Sequence, residues 1–280
     1  MTLDFLPDEL KEFHRFEHDG WESVSGLYGD CWEGLTNAFV PALIEAVAPL
    51  DGVRLLDLAT GLGYAADAAR SGGAAATGLD FSASMIDRAR ARYPEVRFLQ
   101  GDVHRLPLED GEFDAAVVNF GVQHFADLQR AFSEIARVLR PGGRLALTIW
   151  ADGALNEGAG VLERALDAHA ARDSRVPRGP SYLELCDDRA RIGLLRSNGF
   201  DAESVSTRTV RVDWQVPSAD HLYWAEHTAS VRSGARLREQ DEATARRIRS
   251  DMAADVERRY LRDGVIRIPM AAHVVAARRL

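Results

Sequence analysis

Lysine is nearly absent from this 280-residue chain: Lys11 stands alone, and arginine supplies the rest of its 34 basic side chains. Against 43 Asp and Glu the formal net charge is −9, which argues against sequence-independent nucleic-acid binding, since that runs on a surplus of Lys and Arg. The preference for arginine, together with heavy alanine use, is read as coding bias rather than function. Cysteine is scarce as well. Cys31 and Cys186 are isolated and far apart, so they make neither a disulfide framework nor a zinc site, and a reducing compartment is expected. No uncharged run approaches the roughly 20 residues that span a bilayer, and the opening MTLDFLPDELKEF is acidic and has no apolar signal core. Repeats, low-complexity tracts and Ser/Gly linkers are missing too. The expectation is a cytoplasmic protein with no membrane, nucleic-acid or metal partner. Its oligomeric state, homodimer or otherwise, is not written in the pattern. The 46% hydrophobic content is enough for one sizeable core.

Residues 51–150 alternate short apolar runs with helical patterns. Strands are expected at Arg54–Leu58, Ala75–Asp80, Val96–Gln100, Ala115–Asn119 and Arg144–Trp150. Ser82 is placed to cap a helix over Ser84–Tyr93, and Asp127 one carrying Leu128, Ala131, Phe132, Ile135 and Leu139 on one face. Arg140-Pro141-Gly142-Gly143 breaks that helix before the next strand. Such a βαβ series predicts a mainly parallel, doubly wound α/β sheet. Residues 1–50 read as an N-terminal helical cap, and residues 151–280 as acceptor-side helices with the last two strands. Within the latter, helices are expected at Ala159–Ala171 and Arg189–Ser197, and a strand over 200–213. A charged helical insertion over 219–262 reads as a solvated face, and a closing strand over 265–279 carries Pro269 as a potential bend.

The stretch RLLDLATGLGYAA over 54–66 joins a buried strand to a glycine-bearing turn and a helix, the cofactor end of a doubly wound fold. Gly61, Gly63 and Ala66 satisfy the loose dinucleotide pattern, with Asp80 at the spacing an NAD site allows. Asp57 separates the alternatives. A carboxylate at the end of the strand repels a pyrophosphate, whereas it attracts a cofactor with an ammonium and a sulfonium, as S-adenosylmethionine has. Two more acids follow at strand ends. Asp80, in GLDFS, can accept both ribose hydroxyls. Asp102, in Gly101-Asp102-Val103, can take the adenine amino group, with the Val103 N–H beside it and Phe81 or Met85 as an apolar wall. Three acids at three successive strand ends converge on one crevice. In the cap, Trp21, Tyr28 and Trp32 cluster, and Tyr28 and Trp32 are expected to close over a bound ligand.

With LLDLATGLG, TGLDFSASMIDRAR, FLQGDVHRLPLEDGEFDAAVVNFGVQHF and RVLRPGGRLALTIW in view, the chain resembles the class I S-adenosylmethionine-dependent methyltransferases. The likeness is to the small-molecule type related to ubiquinone and menaquinone biosynthesis. Ala59 departs from the glycine many members carry, in the familiar D-x-A-T-G form, and with Thr60 it joins the cofactor turn. The resemblance implies a Rossmann-like seven-stranded sheet whose last strand is antiparallel. It also implies S-adenosylhomocysteine as product and methyl transfer by in-line displacement to O, N or C of a small acceptor, in secondary metabolism. It places the turn after the fourth strand beside the methyl group, so Asn119 and Phe120 are wall candidates and His124 the catalytic base or acceptor-orienting candidate. Asn156–Tyr182 and the insertion are expected to build the acceptor pocket with the cap. Trp150, Tyr182, Trp214, His221, Tyr223, Trp224 and His227 offer rings for an aromatic or hydrophobic acceptor. Cyclisation on the same fold and a cofactor-holding regulatory protein stay open as alternatives.

Overall fold

A computed structural model describes residues 3–171, 173–181 and 185–280. It begins with a 29-residue helix, α1 (Asp8–Thr36), and a short α2 (Val40–Glu45). The alternation that follows is β1 (Arg54–Leu58), α3 (Tyr64–Ser71), β2 (Ala75–Asp80), α4 (Ala83–Arg92), β3 (Arg97–Gln100), β4 (Phe113–Asn119), α5 (Leu128–Val138) and β5 (Leu139–Trp150). The chain continues through α6 (Glu157–His169), α7 (Asp188–Ser197), β6 (Ser206–Val216), α8 (His221–Ala229), α9 (Arg232–Arg238), α10 (Glu242–Tyr260), β7 (Leu261–Arg262) and β8 (Val265–Arg278).

The strands lie in the order β3-β2-β1-β4-β5-β8-β6. The first five in that order are parallel, and β8 is antiparallel to both β5 and β6, as expected. The two-residue β7, a hairpin partner of β8, was not foreseen. Successive side chains of a strand point to opposite faces, and both faces are covered. Leu56, Leu58, Ala116 and Val118 pack with Phe132 and Ile135 of α5 and Leu195 of α7. Leu55, Ala115 and Val117 pack with Leu43 of α2 and Ala65 and Ala69 of α3. A third cluster joins Trp32, Leu35 and Phe120 to α6, α8, α10 and β8.

Ser82 and Asp127 cap α4 and α5 as expected, accepting from Met85 N–H and Arg130 N–H. Elsewhere the boundaries move for local reasons. Leu139 already pairs with Phe113 and Arg144 with Ala115, so Arg140–Gly143 bulges within β5 rather than preceding it. Asp201 accepts from Glu203 N–H and starts a turn at Ala202–Ser204, which delays β6 to Ser206. The charged stretch over 219–262 is three helices rather than one solvated face. In α10 a stripe of Thr244, Ile248, Met252, Val256 and Tyr260 is buried at four-residue spacing. Pro269 lies within β8 opposite Asp213 of β6, beyond the end of β5, where no ladder donor is needed on that side.

Candidate active site

The sheet order reverses between β1 and β4, and a crevice opens there at the carboxyl ends of the strands. Two non-glycine residues sit in the left-handed region at this point: Ala59 (φ 52°) after β1 and Phe120 (φ 55°) after β4. Backbone strain of this kind persists only where the surroundings enforce it. Here Thr60 N–H donates to Leu79 O (3.0 Å) and Phe120 N–H to Thr148 Oγ1 (2.9 Å).

Asp57 is buried beneath the turn. Its Oδ2 accepts from Thr60 Oγ1 (2.5 Å) and Ala66 N–H (3.0 Å), while its Oδ1 is buried without a partner. Burial pushes this carboxyl up to about 7, against those two hydrogen bonds. Asp80 ties the turn to β2, accepting from Gly61 N–H (2.8 Å) and Ser82 N–H (2.9 Å), and burial raises it to about 6.

Asp102 is differently engaged from its expected part as a free acceptor for an amine. His14 Nε2 lies 2.5 Å from its Oδ2 and His104 Nδ1 2.6 Å from its Oδ1. Burial opposes the charge on Asp102, but the hydrogen bonds from His104 and His14 outweigh it and hold the carboxyl well below its usual range. Donor atoms of this trio lie within 4.8 Å of one another, a spacing that also suits a metal. The Asp127 N–H, however, donates to His104 Nε2 (3.1 Å), so the His104 proton is on Nδ1. The trio is thereby a hydrogen-bonded strut between α1 and the β3 turn.

These turns surround one cleft. From the β1 turn it is lined by Asp57, Ala59, Thr60 and Gly61, and from the β2 end by Asp80, Phe81 and Met85. The β3 turn gives Gly101, Asp102 and Val103, the β4 end Asn119, Phe120 and His124, and α1 gives Tyr28. Two expected residues are elsewhere. Gly63 is the left-handed N-cap of α3 (φ 88°), packed so that a Cβ would meet Phe98 at 2.7 Å. Trp32 stacks on Trp214 at 5.3 Å and faces a second cavity.

That second cavity shares Trp21, Tyr28, Thr36, Phe120 and His124 with the first. Its far wall comes from α6, the 174–178 segment and α9, with Glu163, Glu226 and Arg236 among the polar groups. Of the acceptor-side rings expected from the sequence, Trp150 lines it, stacked 4.0 Å from Phe120. Trp214 and His221 pack behind Trp32, and Tyr223, Trp224 and His227 pack against one another. Tyr182 lies outside the described residues.

Sequence reasoning singled out Trp21 and Tyr28 of α1 but missed His14 and Glu17 on the same inward face. His14, Glu17, Trp21 and Tyr28 recur at spacings of three, four and seven, which puts them on one side of a helix. That periodicity was the available signal. Glu17 is fully buried and bonded to His124 Nδ1 (2.8 Å) and Arg232 Nε (2.6 Å). Glu22, also on α1, accepts from Ala83 N–H (2.5 Å) and Ser84 N–H (3.2 Å) at the start of α4.

With this geometry in place, comparison with known proteins decides the family. The pattern of a methyltransferase domain matches residues 56–147. The demethylmenaquinone methyltransferase of Renibacterium salmoninarum is 32% identical over 186 residues, covering 65% of this chain and 77% of that enzyme. The chain belongs to the class I S-adenosylmethionine-dependent methyltransferases. Solved structures share the methyltransferase's fold at lower identity. The YcgJ protein of Bacillus subtilis aligns at 20% identity with a TM-score of 0.55, over 86% of this chain and 98% of that one. The phosphoethanolamine N-methyltransferase 2 of Haemonchus contortus, in complex with S-adenosylhomocysteine, aligns at 19% with a TM-score of 0.51, over 86% and 52%. The methyltransferase takes S-adenosylmethionine as cofactor and releases S-adenosylhomocysteine. Among its described residues, no helix is long and apolar enough to cross a membrane.

Proposed function

We propose that the cleft holds S-adenosylmethionine and that the adjoining cavity holds a small aromatic or hydrophobic acceptor, methylated on O, N or C by in-line displacement. The observation that carries this reading is the wall the two cavities share at Tyr28, Phe120 and His124. The unpartnered Oδ1 of Asp57 supports the cofactor's placement, because a buried carboxylate oxygen without a donor suits an ammonium group. Asp80 would hold the ribose hydroxyls, and Phe81, Met85 and Val103 would hold the adenine. When bound, the cofactor supplies a methyl group on a sulfonium, a leaving group that needs no further activation.

The chain's own part is to align the acceptor, exclude water and hold a proton where one is released. His124 is the group for that last task. The far cavity wall is built from parts of the chain outside the matched core, which supports an acceptor particular to this protein; its place in secondary metabolism and the enzyme's in the cytoplasm are part of the same proposal.

Because Asp57 and Asp80 titrate near 7 and 6, a cationic ligand selects their ionised forms. Affinity for S-adenosylmethionine is expected to rise from about pH 6 to about pH 8, by up to roughly tenfold per group per pH unit below its midpoint. At the acid end, binding releases protons. Calorimetry in buffers of different ionisation enthalpy checks both, and a flat affinity over that range would count against this placement.

For the acceptor, tritiated S-adenosylmethionine is offered with a panel of phenols, naphthols and arylamines. At least one member is expected to take the label. Ala159→Trp, which fills the second cavity from α6, then lowers kcat/KM for it at least about tenfold with cofactor affinity unchanged. Undiminished transfer in that variant, or no label on any member, overturns the acceptor reading.

A further inference from the structure

Glu17 is a fully buried carboxylate contributed by the N-terminal helix to a turn more than a hundred residues away. Three donors converge on it. His124 Nδ1 lies 2.8 Å from Oε2, Trp21 Nε1 donates to the same oxygen at 3.2 Å, and Arg232 Nε donates to Oε1 at 2.6 Å. Arg232 is itself fixed by Pro180 O (2.9 Å) and Gln123 O. Burial works against the charge on Glu17, but the His124 and Arg232 partners outweigh it, so the group titrates below its ordinary range and is ionised.

An ionised carboxylate only accepts hydrogen bonds. The proton between Glu17 and His124 is therefore on Nδ1, and Nε2 carries a lone pair in the neutral ring. The edge of the His124 ring contact with Trp21, at 4.9 Å and 84°, holds the imidazole in that orientation. His124 Nε2 has no hydrogen-bond partner among the described residues, and the side chain, 20% exposed, lines both cavities. The charged groups around it are Glu17 from α1, Arg232 from α9 and Asp80 at the end of β2.

We propose that Glu17 is a positioning residue that presents His124 in its Nδ1–H form, leaving Nε2 to take the proton of an acceptor that bears a phenolic or enolic hydroxyl. This rests on the reading that the second cavity holds the acceptor. In the step, the acceptor's O–H bond breaks and its electron pair stays on oxygen. The proton passes to Nε2, giving an imidazolium stabilised by the Glu17 carboxylate, and then to water. The oxygen, or a carbon conjugated with it, holds the nucleophilic pair. An amine acceptor already has its lone pair and gains little from such a base.

Nitrogen NMR of the full-length protein labelled with ¹⁵N-histidine, with His124→Gln used for assignment, reads the tautomer directly. The wild type is expected to show His124 protonated on Nδ1. In Glu17→Gln the amide oxygen still accepts from Nδ1–H but the charge is gone, so the His124 midpoint falls by about one unit or more, a tenfold loss of proton affinity. Glu17→Asp restores part of it. Transfer to 2-naphthol then loses its acid limb at correspondingly lower pH in Glu17→Gln, while transfer to aniline keeps its wild-type profile. A wild-type His124 protonated on Nε2, which is readable even if Glu17→Gln fails to fold, overturns the proposal, as does an unshifted midpoint in Glu17→Gln. Label transfer to 2-naphthol with the Nε2–H form present overturns the dyad and leaves the acceptor reading standing. The Nδ1–H form with no acceptor labelled supports the dyad and overturns that reading.

Discussion

Asp57→Asn is expected to weaken S-adenosylmethionine binding at least about a hundredfold while making the cofactor-free protein's stability less dependent on pH. The binding loss follows from removing the charge opposite a buried ammonium. Breaking such a pair costs about 3–5 kcal/mol, and each 1.4 kcal/mol is about tenfold in affinity. The stability effect has the opposite sign. The folded-state midpoint of Asp57 is raised to about 7, so between about pH 4 and pH 7 the folded protein keeps a proton that the unfolded chain releases. Wild-type stability therefore falls as pH rises through that window, and above it the penalty of a buried charge is fully present. Asparagine retains an oxygen for Thr60 Oγ1 and Ala66 N–H and has no charge to bury. Urea denaturation of the cofactor-free proteins at about pH 6 and about pH 8 should show the variant gaining on the wild type at the higher pH. Calorimetry should show the lost affinity. Parallel pH dependence of the two proteins would mean that Asp57 is ionised throughout.

Gly121→Ala is the second large effect, and its partner is Ala59. A Cβ at Gly121 would lie 2.6 Å from the Ala59 Cβ, closer than packing allows, and 3.0 Å from Val118 Cγ1, a tight contact. Ala59 has little freedom to retreat, because its left-handed backbone is held by the neighbouring hydrogen bond of Thr60 N–H to Leu79 O. Overpacking of this kind costs about 1–3 kcal/mol, and the strain falls on the cleft floor, so cofactor affinity drops with stability. Ala59→Gly alone is expected to lie between neutral and about 1 kcal/mol stabilising, since glycine relieves the positive φ but loses more chain entropy on folding. In the double variant the carbon–carbon clash disappears. A denaturation cycle over the four proteins should give a coupling above about 1 kcal/mol. Additive values would mean that Val118 or the backbone absorbs the added methyl group.

What could be read from the sequence was whatever local chemistry determines. The β1 and β2 strands appear where Leu55, Leu58 and Leu79 require burial, and Ser82 and Asp127 cap because their side chains reach donors three residues on. The acids at three strand ends could be placed on the cleft because topology brings strand ends together. Partners could not be placed. Nothing in Gly101-Asp102-Val103 says that His14, 88 residues earlier, takes one of its oxygens. Gly63 illustrates a related gap. A glycine in a cofactor motif reads as a contact to ligand, yet this one is needed for a left-handed turn and for room beside Phe98. In α10 the dense charge hid a buried stripe, since arginine and glutamate on three sides of a helix outnumber the apolar residues on the fourth.

The division of labour between the two cavities bears on how this enzyme can diversify. The cleft is held at strand ends and turns, where Asp80 accepts from Gly61 N–H and Asp57 from Thr60 Oγ1 and Ala66 N–H, while much of the second cavity hangs on α6, α9 and the 174–178 segment. On the proposed reading, substitutions there can accumulate without disturbing the methyl donor's seat. Helix α1 is the exception. Its His14, Glu17 and Glu22 anchor separate parts of the site, so a mutation drifting into this one helix is tested against both ligands at once. Lineages that take up new acceptors should rewrite α6 and the later turn of α9 freely and leave the inner face of α1, with Arg232 bonded to it, alone.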